Sequence, residues 1–457
     1  MVVSVVLARI LSPNDYGVIA FTSIFIHLSD ILIQAGFATA LIRKPTADYR
    51  DYSTVMGISI IMAMLLYILI FVSAPLISSF YDEPLLTKVL RVIALSLFFQ
   101  AFVSVRTAII SRHMKFRILF ICSIIANILS GIIGIFLAVA GTGVWALVFQ
   151  QLTQQLILTV ALFMVIKVKF DFRIYKDSAK TLVPFSIKVL ISSLLSFIGS
   201  SFYNLVIGKT HSMEDLGYYE KGGLFPQNIS LYTFNAVSSV FLPVFSSVQN
   251  DKRKLNDIFQ RVLNVSMFII LPMMAGLCMT AEPLITVVLT DKWLPSVNIM
   301  RWMCLYYVMT PLLLAHVQLH FAIGRSNTRI KVETYGLLAK IIAMAVLIYL
   351  KSSVVVISAI VAIIQVFSGI YISFETVKAI NFDLKQFIKN LLPTCAAVLI
   401  MCAAVFLISL VDTCAVIKLV VEVFAGITVY TLVSFLLKNR AYFEVKELLK
   451  SLLDRRK

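Results

Sequence analysis

The stretch Arg9–Arg43, RILSPNDYGVIAFTSIFIHLSDILIQAGFATALIR, decides the class of the fold. A short loop containing Pro13 and Gly17 leads into an apolar run long enough to cross a bilayer. At helical spacing Ser23, His27, Asp30 and Gln34 fall on one face, at steps of four, three and four. An ionisable Asp30 in such a segment is costly against lipid, so it turns toward a bundle interior or a wet cavity. The seam predicts a polar passage through a membrane.

Composition agrees with that reading. Of 457 residues, 60% are hydrophobic and only 14% charged, and the mean hydropathy is +0.95. A soluble chain of this length needs more charge to cover its surface. Repeated apolar runs of about 20 residues describe a polytopic helical membrane protein. The formal net charge of +17 would suit nucleic acid, but the basic residues gather in every second segment between spans, which argues against a nucleic-acid partner. Cys122, Cys278, Cys304, Cys395, Cys402 and Cys414 lie in or beside apolar runs without a C-x-x-C pair. They read as small packing residues rather than disulfides or metal ligands.

The segment Met1–Leu11 is apolar but about 16 Å long as a helix, roughly half of a ~30 Å hydrocarbon core. It is expected to be the remainder of a first helix that begins upstream, and no cleavable signal peptide is expected. Thirteen candidate spans follow: 16–38, 53–76, 87–109, 118–140, 144–166, 182–207, 217–244, 263–289, 296–323, 334–350, 353–376, 391–411 and 415–437. The tail 438–457 reads as a basic amphipathic helix with Leu448, Leu449, Leu452 and Leu453 on its apolar side. Of the forty Lys and Arg residues, 29 fall in one alternate set of loops and the tail, and six in the other. That split predicts a cytoplasmic C-terminus in a bacterial inner membrane.

An internal repeat organises the spans. At an offset of 200 residues, Arg9-I-L-S-P-N-Asp15-Y-Gly17 lies over Lys209-T-H-S-M-E-Asp215-L-Gly217. In each copy an Asp opens a helix whose N-terminus it suits. Six spans separate the copies, so both lie on the same side. The expected fold class is all-α integral membrane, with about 14 transmembrane helices of which the first is truncated. Two six-helix lobes related by a pseudo-two-fold along the membrane normal are followed by two extra helices. The corresponding segments are 1–180, 181–377, 378–437 and the tail 438–457.

Polar positions recur in the second lobe. Lys188, Ser192, Ser196 and Ser200 share a face of span 182–207, and Lys221, Asn228, Asn235 and Ser239 lie near one face of span 217–244. Small hydroxyl residues serve close packing as readily as ligand binding, and a Lys near a span end also snorkels to the interface. With Arg9, Lys209, Arg301 and Lys340 these cations outnumber Asp30 and Glu220. A surplus of positive charge in a low-dielectric wall attracts anions, phosphates above all. The reading expects the charges to converge on a shared electropositive chamber. His316 and His320 stand at i, i+4, a spacing that can hold a metal, but no carboxylate accompanies them, and no metal is expected. Gln150, Gln151, Gln154 and Gln155 read as interhelical hydrogen-bonding groups or as contacts for sugar hydroxyls. Pro226, Pro243, Pro272 and Pro311 lie within spans, where they bend helices with or without a role in movement. We find no Walker A loop, dinucleotide fingerprint, H-E-x-x-H or G-x-S-x-G motif. No catalytic residue or cofactor is expected, and transport would draw on a gradient such as H+ or Na+.

Six stretches carry a resemblance: LARILSPNDYG (Leu7–Gly17), DILIQAGFATALI (Asp30–Ile42), DLGYYEKGGLFPQNI (Asp215–Ile229), FLPVFSSVQND (Phe241–Asp251), LTDKWLPSV (Leu289–Val297) and AIGR (Ala322–Arg325). In them the chain resembles the polysaccharide-transporter branch, the Wzx-type oligosaccharide flippases, of the multidrug/oligosaccharidyl-lipid/polysaccharide exporter superfamily. The resemblance implies alternating-access transfer of undecaprenyl-diphosphate-linked repeat units for lipopolysaccharide, capsule or exopolysaccharide synthesis. It implies a cationic cavity and a groove near the last two helices for a polyprenyl tail. Arg9, Lys188, Lys209, Lys221 and Arg301 are then candidates for contact with diphosphate or acidic sugar. Asp30 is the candidate coupling carboxylate, with Gln34, Asn228 and Asn235 as polar cavity groups. Implied partners are the lipid-linked oligosaccharide, the bilayer, and the glycan polymerase and glycosyltransferases of the same synthesis. The alternatives are a multidrug or organic-cation exporter of the same superfamily, or a membrane glycan polymerase or ligase.

Overall fold

The computed structural model describes residues 2–34, 36–44, 47–166, 171, 173–249, 251–325, 327–411 and 413–454. Their regular structure is helical, and eleven helical segments among them are long and apolar enough to cross a membrane. The chain is a multi-pass membrane protein. It divides into two compact units, Met1–Gly217 and Tyr218–Lys457.

The first unit holds α1 (Val2–Ile10), α2 (Pro13–Gln34), α3 (Phe37–Arg43), α4 (Tyr49–Phe80), α5 (Leu85–Ile93), α6 (Ser96–Arg112), α7 (Phe116–Val139), α8 (Val144–Val165), α9 (Lys176–Thr210) and the first turn of α10 (Met213–Ser247). The second holds the rest of α10, then α11 (Lys252–Met279), α12 (Ala281–Val288), α13 (Ser296–Ala322), α14 (Asn327–Tyr349), α15 (Val354–Ile380), α16 (Leu384–Ser409), α17 (Ala415–Leu436) and α18 (Arg440–Asp454). Ten of the thirteen expected spans each fall on a single helix. Spans 182–207 and 217–244 lie on α9 and α10, of 35 residues each.

The helices are sorted by polarity in the manner of membrane proteins. On α4 the buried face carries Asp51, Ser53, Thr54, Ser59 and Ser78, while Leu65, Leu69, Val72 and Leu76 point outward. Hydrocarbon solvates the outer face, and the inner face packs small hydroxyl residues that hydrogen-bond the backbone. Ser59 Oγ, for example, donates to Ile33 O of α2 at 3.3 Å. At its start α4 is closed by a capping box in which Asp48 and Asp51 accept each other's backbone N–H. The Lys44 ammonium, 2.7 Å away, neutralises the fully buried Asp51.

Three expected spans are interrupted. Span 16–38 breaks between α2 and α3 at Gly36, whose φ of 71° suits glycine and whose added Cβ would lie 2.6 Å from the Val189 Cβ. Spans 87–109 and 263–289 break between α5 and α6 and between α11 and α12. Apolar side chains continue through the break between α5 and α6, at Ala94 and Leu95, so periodicity alone does not reveal it. The expected apolar side of the tail lies outside the described side chains, but its first turns form α18, which packs on α11 through Tyr442 and Phe268.

The 200-residue repeat is visible in atomic detail. Asp15 Oδ2 accepts from Ser12 N at 3.0 Å and from Ser12 Oγ at 2.7 Å. Asp215 Oδ2 does the same with Ser212, at 3.3 Å and 2.8 Å. The two turns also meet. A Cβ on Gly17 would collide with Met213 O and lie 3.2 Å from Gly217 N, and a Cβ on Gly217 would collide with Pro13 O and lie 3.2 Å from Gly17 N. This reciprocity is that of a local two-fold, and it requires both residues to lack a side chain.

A second repeat accompanies the first. EPLLTKVL at 83–90 and EPLITVVL at 282–289 each follow a long helix and build the short α5 and α12. The preceding helices carry Pro75 and Pro272, eight and ten residues before Glu83 and Glu282 respectively. A proline removes the hydrogen bond to the carbonyl four residues back, which frees Phe71 O in α4 and Phe268 O in α11. Arg91 Nε donates to Phe71 O at 3.2 Å, and the Tyr430 hydroxyl donates to Phe268 O at 2.7 Å.

Candidate functional site

In the first unit the polar seam is centred on the last turn of α2. Gln34 Nε2 lies 2.9 Å from both oxygens of Asp30, and both side chains are half-buried. His27 is exposed and Ser23 half-buried, so the four predicted positions share a helix but not one environment. Lys209 ends α9 far from that carboxylate. Its ammonium contacts Phe80 O and lies 3.3 Å from Asp82 at the end of α4. That end is also marked by the pairing of Phe21 with Tyr81, and Asp30 lies about 13 Å along α2 from Phe21. Arg9 is exposed at the end of α1.

Arg106, one of the 29 Lys and Arg residues counted above in the alternate loops and tail, is 1% exposed in α6. It donates to Phe102 O at 3.1 Å, and its guanidinium carbon sits 3.3 Å from the Phe163 ring centroid. Aromatic stacking and its own helix's carbonyl make burial of this cation tolerable. Gln154 Nε2 of α8 meets Asn127 Oδ1 of α7 at 2.9 Å, the interhelical role among the two expected for the glutamines.

In the second unit Lys221 is 5% exposed, with its ammonium 5.9 Å from the Trp293 ring centroid. Trp293 is fully buried and meets Tyr218 edge-on at 6.1 Å. Gly222 backs onto Ile299, which brings Lys221 and Arg301 to the same level of adjacent helices. Arg301 is exposed and donates to Asn298 Oδ1 at 3.1 Å. Asn228 is half-buried on α10. The side chains of Lys188 and Asn235 lie outside the described residues. His316 and His320 turn to hydroxyls. Thr376 Oγ1 lies 2.7 Å from His316 Nδ1 and 3.1 Å from His320 Nε2, and Ser373 Oγ lies 3.1 Å from His316 Nε2.

The second unit holds a groove of about 340 Å³ formed mainly by α11, α16 and α17. Met273, Gly276, Met401, Val405, Val423 and Ile427 line it, and Pro272 and Tyr430 stand on its wall. Val423 and Ile427 are also exposed on the outer face of α17, so the groove opens where that helix meets lipid. One acid lines it. Glu422 is 1% exposed, and sequence reasoning overlooked it. The available signal was an acidic residue between valines in the middle of an apolar span.

Comparisons with known proteins fit this architecture. The chain is 25% identical over 288 residues to the succinoglycan biosynthesis transport protein ExoT of Rhizobium meliloti, covering 63% of this chain and 58% of that protein. It is 24% identical over 306 residues to the teichuronic acid biosynthesis protein TuaB of Bacillus subtilis, covering 65% and 62%. The matches thus span about six tenths of these relatives' lengths. In fold it is similar to the lipid II flippase MurJ in an inward closed conformation, with a TM-score of 0.75, 19% identity and 94% of each chain covered. Residues 6–298 match the family model described as "Polysaccharide biosynthesis protein", and the chain belongs to that family.

Proposed function

We propose that this protein is a flippase for undecaprenyl-diphosphate-linked oligosaccharides, working in the bacterial inner membrane with its C-terminus in the cytoplasm. The observation that carries the reading is the groove on α11, α16 and α17, an apolar channel with Val423 and Ile427 exposed along its lining. A glycan head with two phosphates cannot cross hydrocarbon unaided, because stripping water from charge is costly. Lys221 and Arg301 supply positive charge for the diphosphate or acidic sugars, and amides such as Asn228 replace water at hydroxyls. The isoprenoid tail keeps to the groove while the head is exposed to each side in turn. A succinoglycan biosynthesis transport protein and a teichuronic acid biosynthesis protein among the relatives, and the likeness in fold to a lipid II flippase, support the same substrate class. Asp30, held by Gln34, orients the α2 seam or couples transport to H+ or Na+. No catalytic role is assigned. A glycan polymerase and glycosyltransferases that consume and supply the substrate are the proposed partners.

Deletion in the native host tests the reading. Lipid-linked repeat units are expected to accumulate on the cytoplasmic leaflet, and restoration should fail with Lys221→Glu while a folded protein is still made. Normal polymer export by the deletion strain, with no accumulated intermediate, overturns it.

A further inference from the structure

The groove's acid is the group that the proposed function leaves unused. Both oxygens of Glu422 are buried and make no hydrogen bond among the described residues. The other lining oxygens are committed. Thr280 Oγ1 donates to Gly276 O at 2.9 Å, Thr431 Oγ1 to Ile427 O at 2.8 Å, and Tyr430 Oη to Phe268 O at 2.7 Å. A metal cation needs a shell of several oxygen donors, which this lining does not bring to one point. A proton needs only the carboxyl itself.

We propose that Glu422 is a proton-binding site linked to occupation of the groove by a lipid chain. This rests on the reading of the groove as the seat of an isoprenoid tail. An ionised carboxylate against hydrocarbon is far costlier than a neutral carboxylic acid. Entry of a chain therefore takes up one proton, converting Glu422 from carboxylate to acid. When the chain leaves and water reaches the groove, the proton returns to solvent. Few neighbours can blur this linkage. The groove residues on α10, α11, α12 and α16 (among them Ile229, Met273, Leu284 and Met401) do not titrate. On α17 itself the facing groups are Tyr430, whose hydroxyl is engaged, and Lys418 one turn away.

The test uses the full chain in nanodiscs of phosphatidylethanolamine and phosphatidylglycerol, with a fluorescent undecaprenyl ester that is uncharged at every pH. In the wild type, affinity should fall about tenfold per pH unit once the wet carboxyl ionises. A pH indicator in weak buffer should record about one proton taken up per chain bound. Glu422→Gln should bind with an affinity independent of pH, and Glu422→Leu likewise. An infrared carboxylic-acid C=O band that grows on adding the ester should be missing from Glu422→Gln. A pH slope and proton uptake that persist unchanged in Glu422→Gln overturn the linkage and leave the groove reading standing. Failure of the ester to bind the folded wild type, or to be displaced by unlabelled undecaprenol, overturns both.

Discussion

Pro75 and Pro272 each break one helical hydrogen bond in the long helix that precedes an EPL copy, yet the vacancy is filled differently. In α4 the freed carbonyl of Phe71 is taken by Arg91 from the next helix, α5, whose guanidinium also lies 4.2 Å from the Phe71 ring centroid. In α11 the freed carbonyl of Phe268 is taken by Tyr430 from α17, one of the two helices that follow the repeated set. The position equivalent to Arg91 falls in the turn after α12, so the second copy has no cation of its own to offer there. The extra helices thus dock on a backbone defect that the first copy repairs internally. Because that defect lies on the groove wall, docking of α17 and construction of the groove are one event.

Where the copies are equivalent, substitutions should act alike, and the largest effects belong there. Gly17→Ala and Gly217→Ala each drive a Cβ into a backbone carbonyl. Each should cost about 4 kcal/mol or more, seen as loss of the thermal transition of the detergent-purified protein. Markedly unequal effects would break the local two-fold. The kinks should then diverge. Tyr430→Phe strands a buried carbonyl and should cost about 1–3 kcal/mol. Arg91→Met should cost about 1 kcal/mol or less, because its bond lies at an exposed site. A double-mutant cycle sharpens the point. In a Pro272→Ala background the new N–H can satisfy Phe268 O, so Tyr430→Phe should lose most of its cost. An undiminished cost would refute the account of the kink. The smallest effect has the opposite sign. Glu422→Leu removes an unpartnered buried acid and should raise stability by about 1 kcal/mol, whereas Asp30→Leu strands the Gln34 amide and should lower it.

Much of this fold is legible before any coordinates. Runs of apolar residues mark each span because hydrocarbon demands both length and composition. The Asp-x-Gly repeat marks the twin turns because a close backbone approach admits only glycine. The break at Ala94 and Leu95 is not legible, since apolar side chains continue through it. The EPLL and EPLI copies are as readable as the first repeat, but they sit at an offset of 199 rather than 200 and are missed when one offset is imposed. The candidate site is less legible. Charge alone does not separate Lys209, which is tied to the end of α4, from Lys221, which is buried against Trp293. Nor does it separate Asp30, which has Gln34 one turn on, from Glu422, which has none. Partners arrive from other helices, and a single chain read in order does not show them.

The most direct test of the central claim is reconstitution of the purified protein into liposomes carrying a fluorescent undecaprenyl-diphosphate oligosaccharide in both leaflets. Access of a membrane-impermeant lectin to the glycan reports which leaflet holds it. The account predicts that the accessible fraction rises beyond the outer-leaflet share, and that Lys221→Glu abolishes the rise. An accessible fraction equal to that of protein-free liposomes, under an imposed H+ or Na+ gradient of either direction and without one, would contradict it.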